Sequence, residues 1–347
     1  MNKIIFFLTI IVFLFKTGNV FSNTNIFNVD NIIIINNKTE KREKLVDKAI
    51  KKGFEELFTK ILLDQDTQLI LKTQLKVIQG LVSSYQINKN ESLNDNDKLV
   101  FNISFDKNRV IEFLYKNNLS YADTSVIDLV LFPVLLENGK FYIYSNNFFY
   151  NNWNENKKNK NFINYILPLE NLDDIEFINK NKKNLESVDV NAVLSNYDLN
   201  DKIFLIIESS NKQTDVFLKG TLSGNQVVKN IIINQKKNDK ITKYYNTIET
   251  LKFEISEIWK SQNLIDVRTP SFLNIELEIK KNNDFLILQK KLNNIDLIQN
   301  IYVEEINKNY EKIKIKYLGK INKMKDKLKQ KGIDILIKNN KWKLKII

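Results

Sequence analysis

Apolar and polar positions change their period several times along this chain, and each change marks an element. Val29 to Ile35 is a β-rich run, which suits a strand. Behind it, Asn37 and Glu40 have the spacing of a helix capping box. In KREKLVDKAIKKGFEELFTKILL, the positions Leu45/Val46, Ala49/Ile50, Phe54, Leu57/Phe58 and Ile61/Leu62 recur about one helical turn apart. That stripe predicts an amphipathic helix with Lys and Glu on its far face. Asp66 is placed to cap a second helix carrying Leu69, Ile70, Val77, Ile78, Leu81 and Val82. KLVFNISF alternates, with Leu99, Phe101, Ile103 and Phe105 inward, and Asp106 caps a short helix through Phe113 and Leu114. A further strand is expected near Tyr85 to Asn88. Residues 23–122 therefore read as one N-terminal α+β domain.

A second unit spans 126–266. VIDLVLFPVLL is a buried strand, and Asn138-Gly139 is a hairpin turn signal leading into FYIYS. An Asn-rich aromatic patch follows, NNFFYNNWNENKKNKN, read as a short helix and loop. After a helical stretch around Leu185 to Leu199 come KIFLIIES, DVFLKGTLS and QVVKNIIIN, separated by turn-prone residues. These predict an antiparallel meander. A long helix from about Lys240 to Gln262 closes the unit, and Pro270 marks its boundary.

Residues 271–347 read strand, helix, strand, strand, helix, then a last strand or strand pair. This β-α-β-β-α-β order predicts a ferredoxin-like sandwich. Its first and third strands would be neighbours, placing Glu276 and Glu278 on the open face with Lys312, Lys314 and Lys316. The whole chain is thus expected to be α+β, with several small units in series.

The first residues are of another kind. After Met1-Asn2-Lys3, Ile4 to Phe15 is apolar apart from Thr9, and Lys16 ends the run. That falls short of the roughly 20 apolar residues of a membrane-spanning helix and fits the core of a secretory signal peptide. Residues 1–22 are read as that leader, with cleavage between Ser22 and Asn23. An uncleaved anchor is the rival reading. Removal leaves a periplasmic chain with no integral membrane span.

Composition narrows the chemistry. The formal net charge is +12, with no histidine and no cysteine. Lysine is spread evenly beside abundant Asn and Ile, the mark of an AT-rich genome, and a solvated surface explains it better than a nucleic-acid partner does. Without His or Cys there is no Ser–His–Asp triad, thiol nucleophile, ordinary zinc site or disulfide framework. Only eight glycines occur, none in a GxGxxG or GxxxxGK spacing. Carboxylate chemistry, a Ser–Lys pair, or binding without catalysis remain. No cofactor is expected.

Four features carry candidate chemistry. Phe149, Tyr150 and Trp153 in the aromatic patch could stack on a sugar or a partner side chain; packing on the sheet is the competing reading. Asp173 and Asp174, beside Glu176, could hold a metal or form a solvated helix start. Ser209-Ser210 near Lys212 suggests a Ser–Lys nucleophile, but no oxyanion donor accompanies it. The last domain invites comparison with RNA-binding sheets, yet its open face carries Lys and Glu where stacking needs aromatics.

The order of these blocks resembles the proteobacterial exported family called domain of unknown function 2066. The resemblance rests on Arg42 in the amphipathic helix, Tyr85, Phe105-Asp106, Pro133 and the Asn147 to Trp153 element, and covers most of residues 25–155. The chain departs from the family at ILLDQDTQ, where Gly is usual, and at Leu119-Ser120-Tyr121, where Pro and Trp are commoner. It implies export and this architecture, but no activity. Together these readings predict a non-catalytic envelope protein that acts through a protein partner. The alternatives are a carbohydrate- or lipid-binding protein, or a carboxylate-dependent hydrolase, using Trp153; or a basic protein in peripheral contact with anionic lipid.

Overall fold

The computed structural model describes residues 26–35, 40–89, 98–122, 126–155, 162–210, 213–234, 239–278, 283–307, 310–338 and 341–346. The expected leader with its Ser22–Asn23 cut, most of the Asn37–Glu40 box, and Lys212 lie outside them. The described residues form a mixed α+β protein with several small sheets. They divide into two compact units, residues up to 57 with 74–109, and 58–73 with 110–347.

The first unit holds a sheet in the order β1 (Asn28–Ile35), β3 (Lys98–Phe105), β2 (Val82–Lys89), all antiparallel. Phe101, Ile103 and Phe105 of β3 are buried, as their alternation requires. The amphipathic helix α1 (Arg42–Ile61) passes over this sheet at Gly53. A Cβ there would come within 2.9 Å of Ile32 and 3.0 Å of Ile103. Where one helix was expected after α1 in the chain, there are two, α2 (Asp64–Ile70), which belongs to the second unit, and α3 (Leu75–Leu81), which belongs to the first. Thr73 closes α2 by donating both its hydroxyl (2.6 Å) and its amide (2.9 Å) to the Ile70 carbonyl. Asp106 accepts the Arg109 amide and so caps α4 (Lys107–Lys116).

The second unit is built around β5 (Ile127–Glu137). Its six-stranded sheet runs β10 (Asn225–Asn234), β9 (Gln213–Leu222), β8 (Lys202–Ser209), β5, β6 (Lys140–Tyr142), with β7 (Ile163–Ile166) also paired to β5. β8, β9 and β10 form the expected antiparallel meander, while β5 runs parallel to β8 and β7. Two hairpins turn on consecutive left-handed residues, Asn138-Gly139 (φ 51° and 74°) and Ser223-Gly224 (φ 52° and 78°), which matches the right-handed strand twist.

Strand alternation sends Leu129, Leu131, Ile203, Leu205 and Ile207 to one face. There α8 (Lys240–Gln262) lays down Tyr244, Ile248, Leu251, Ile255 and Trp259. Val130, Phe132, Val134 and Phe204 point the other way. They are covered from α6 (Leu172–Asn181), a 3₁₀ turn at Leu185–Ser187 and α7 (Val190–Val193). The helix expected around Leu185 to Leu199 is only these short pieces. Ser187 bonds back to the Asn184 carbonyl and Asp189 caps a fresh turn, so the backbone restarts instead of continuing. The short strands β4 (Tyr121–Ala122) and β11 (Leu264–Ile265) pair with each other.

The remaining elements are β12 (Ser271–Glu278), α9 (Asp284–Asn293), β13 (Ile298–Ile306), β14 (Tyr310–Tyr317), α10 (Ile321–Gln330), β15 (Ile333–Lys338) and β16 (Lys341–Ile346). β12 and β14 are antiparallel neighbours, with Glu276 opposite Lys312. The sheet order, β13-β14-β12-β16-β15, has one strand more than a four-stranded sandwich. β16 folds back parallel to β12, burying Leu344, and displaces β15 to the edge. Lys312 and Lys314 face Glu305 and Glu304 of β13, while Glu276 pairs with Lys343 at 3.9 Å. The lysine row is balanced by glutamates, drawn from different strands than its spacing suggested.

Candidate functional site

The aromatic patch lies where β5, paired with β8 on one side, lacks a strand neighbour on the other. β7 pairs with Ile127 to Val130, and β6 with Leu135 to Glu137. Asn147 fills the gap between them and caps α5 (Phe148–Asn152). Its amide nitrogen donates to the carbonyls of Pro133 (2.8 Å), Ile143 (2.9 Å) and Tyr142 (3.0 Å). Its oxygen accepts the amides of Phe149 (3.0 Å) and Tyr150 (3.3 Å). Pro133, which has no amide hydrogen, occupies the stretch where no ladder bond is made on this side.

From this cap the aromatic side chains part. Phe149 and Trp153 go into the core beneath α8, with ring centroids 4.9 Å from Tyr244 and 5.7 Å from Tyr165 respectively. Both are fully buried. A ring with no exposed face cannot stack on a sugar, which corrects the expectation of a binding platform at Phe149 and Trp153. The indole nitrogen of Trp153 is buried without a hydrogen-bond partner, as is that of Trp259, so packing rather than polar bonding holds both rings. Tyr150 alone turns the other way, half-buried, with Tyr144 edge-on at 5.1 Å and its hydroxyl on the Pro168 carbonyl at 2.8 Å.

Tyr150 belongs to a group of three phenols that the chain's periodicity did not mark. Tyr144 donates to Asp174 in the first turn of α6, and Tyr197 accepts the Leu169 amide at 2.7 Å. Burial pushes the Tyr144 and Tyr150 hydroxyls up from their ordinary values, and the Asp174 hydrogen bond pushes Tyr144 further. Both stay neutral phenols at physiological pH and are poor nucleophiles. Asn171 caps Asp173, and Asp174 is taken by Tyr144, so the acidic pair is a helix start. Among the described residues no group of three or more Asp or Glu could hold a metal ion. In the same segment Leu169 and Leu172 are 79% and 77% exposed, and Ile175 is partly open. Exposed Glu170, Asp173 and Glu176 are interleaved with them.

Ser210 donates to the Gln213 carbonyl at 2.8 Å, closing the turn into β9. Beside it lies a constellation that the sequence reading missed. Tyr244 and Lys240, at the start of α8, both donate to Glu137 at the end of β5, each at 2.9 Å. The Lys240 ammonium holds the Glu137 carboxyl below its usual range, and Glu137 raises Lys240 in return. Burial raises Tyr244. Each shift fixes the resting proton, so the cluster supplies a locked ion pair rather than an acid or base near neutral pH. The Asp239 cap, with Thr242 three residues on, was the available signal for the start of α8.

An open polar groove of about 890 Å³ lies beside α7, lined by Asn191, Tyr197, Asp201, Lys202, Thr221 and Ser223 among others. Asp201 accepts the Ser223 amide at 2.7 Å, and burial raises its carboxyl. Lys202, buried, donates to the Leu194 carbonyl at 2.9 Å. Both charges are committed to backbone.

Among the described residues no helix is long and apolar enough to cross a membrane. Compared with known proteins, the chain matches no family model, no curated protein and no solved structure.

Proposed function

We propose that this chain is an exported, non-catalytic protein of the cell envelope that acts by binding another envelope protein through the segment Leu169 to Glu176. The exposure of Leu169 and Leu172 carries this reading. Large apolar side chains grouped in one segment on a surface mark contact sites. Alternating Glu170, Asp173 and Glu176 give that segment an acidic rim on a chain of net charge +12. The complementary surface is an apolar pocket edged by Lys or Arg. The leader-like first residues and the resemblance to an exported family support placement in the periplasm. The locked state of the polar clusters supports binding without catalysis.

In-cell crosslinking of the tagged protein, followed by peptide mass spectrometry of envelope fractions, tests this. The reading expects Asn23 as the mature N-terminus and crosslinks from the α6 region to a defined envelope protein. Turnover of a peptidoglycan or glycan substrate by the purified mature chain, abolished by an acid-to-amide change, would overturn it.

A further inference from the structure

β10 ends the six-stranded sheet, and its outer edge has no strand partner among the described residues. Its ladder with β9 runs without irregularity from Asn225 opposite Leu222 to Asn234 opposite Gln213. Two other edges are blunted: β1 carries a register shift after Val29, and β13 carries one shift between Ile298 and Asn300 and a second between Val303 and Glu305. Bulges and charges of that kind discourage edge pairing. β10 has neither a bulge nor an unbalanced charge. Its one charged residue, Lys229, is held by Glu254 of α8 at 2.6 Å. On the face that α8 does not cover, Val228 and Ile232 are 62% and 65% exposed.

We infer that β10 pairs antiparallel with β10 of a second copy of this chain, about a two-fold axis through Asn230. The sequence of the strand selects both occupant and register. Around Asn230 it is nearly mirror-symmetric in character, with Gln226 against Asn234, Val227 against Ile233, and Val228 against Ile232. An isologous interface requires this self-complementarity. Lys229 falls opposite Ile231 of the other copy, so like charges are never directly opposite. The backbone agrees with the side chains. The two-residue turn at Ser223-Gly224 makes Leu222 and Asn225 a hydrogen-bonded pair, and these pairs then alternate along the ladder. Gln226, Val228, Asn230, Ile232 and Asn234 therefore point their amides and carbonyls outward. In the proposed register each outward residue meets another outward residue. Sliding the centre to Val228 would place Ile232 against the Gly224 turn, and sliding it to Ile232 would carry Val228 past the end of the strand. This interface lies apart from the α6 segment and is independent of the adaptor reading.

Sedimentation of the full mature chain over a concentration series tests it. The wild type should self-associate to a dimer, and Ile232→Lys should weaken association at least tenfold. The chain has no cysteine, so Asn230→Cys introduces the sole thiol. Across a hydrogen-bonded pair its Cα lies about 5.5 Å from its copy, within disulfide range, and oxidation should give a linked dimer. Asn225→Cys, roughly 34 Å from its copy at about 3.4 Å per residue, should not link. Asn230→Pro removes an outward amide without touching the β9 ladder and should weaken the dimer too. Circular dichroism checks that each variant is folded. A wild type that stays monomeric at the highest attainable concentration overturns the inference. So does a dimer indifferent to Ile232→Lys in a folded variant, or linkage at Asn225 as ready as at Asn230.

Discussion

Asn147 is the residue whose loss should be felt most sharply. It is fully buried, and its side chain contacts five backbone groups. An amide has two hydrogens, so one of the three carbonyls is reached by a shared bond. Asn147→Ala removes a helix cap worth about 1 kcal/mol. It also strands buried carbonyls of Pro133 and Ile143 at about 1–3 kcal/mol each. The terms are not fully additive, and a loss of about 3–5 kcal/mol is expected. Asn147→Asp keeps the cap acceptor but buries a carboxylate among three carbonyls, and should cost at least as much. Urea unfolding followed by the fluorescence of Trp153 and Trp259, which share the core beneath α8, reads both variants. A loss below about 1 kcal/mol for Asn147→Ala at unchanged slope would refute the reasoning, since it would mean that water or relaxation replaces these bonds.

Gly220→Ala should unfold the sheet or cost about 3 kcal/mol, because a Cβ would stand 2.0 Å from the Lys202 carbonyl oxygen and 2.9 Å from Ile203 Cα. Gly80→Ala in α3 meets nothing within 4 Å and should instead raise stability by about 0.5–1 kcal/mol; thermal melts compare the two. Glu311 is buried with its Oε2 unpartnered, and burial raises its carboxyl. A raised carboxyl stabilises most below its unfolded value of about 4.3 and loses that contribution as pH rises. Glu311→Gln should therefore be more stable than the wild type at pH 7 and no more stable near pH 4 in parallel urea titrations.

Where the fold was readable in the sequence, local pattern and tertiary packing agree. The helix Lys240–Gln262 and the alternation of β3 and β9 follow from one buried face each. The turns at Asn138 and Ser223 follow from residues that tolerate positive φ. Four-residue β7 escaped notice because its strand character comes from pairing with β5, a partner far away in sequence. The position of β16 beside β12 is likewise a choice between edges, which no local period encodes. Of the two readings of the aromatic patch, packing on the sheet is the one realised at Phe149 and Trp153. Phe149 and Trp153 sit among polar Asn residues and look exposed, yet Asn147 turns the chain so that a five-residue helix buries them. The Glu137–Lys240–Tyr244 cluster joins residues about a hundred positions apart, so sequence spacing could not reveal it.

An envelope protein seated on the Leu169 to Glu176 segment should be trapped there by a crosslinker. A photo-crosslinking residue at Leu172, activated in living cells, tests this contact most directly, with exposed Tyr115 on α4 as the control position. One dominant adduct with an envelope protein is expected from position 172, none from 115, and loss of a crosslink placed at Leu169 when Leu172→Glu is introduced. An equal, diffuse pattern from both positions, or no adduct with the protein confirmed in the envelope, would contradict that expectation.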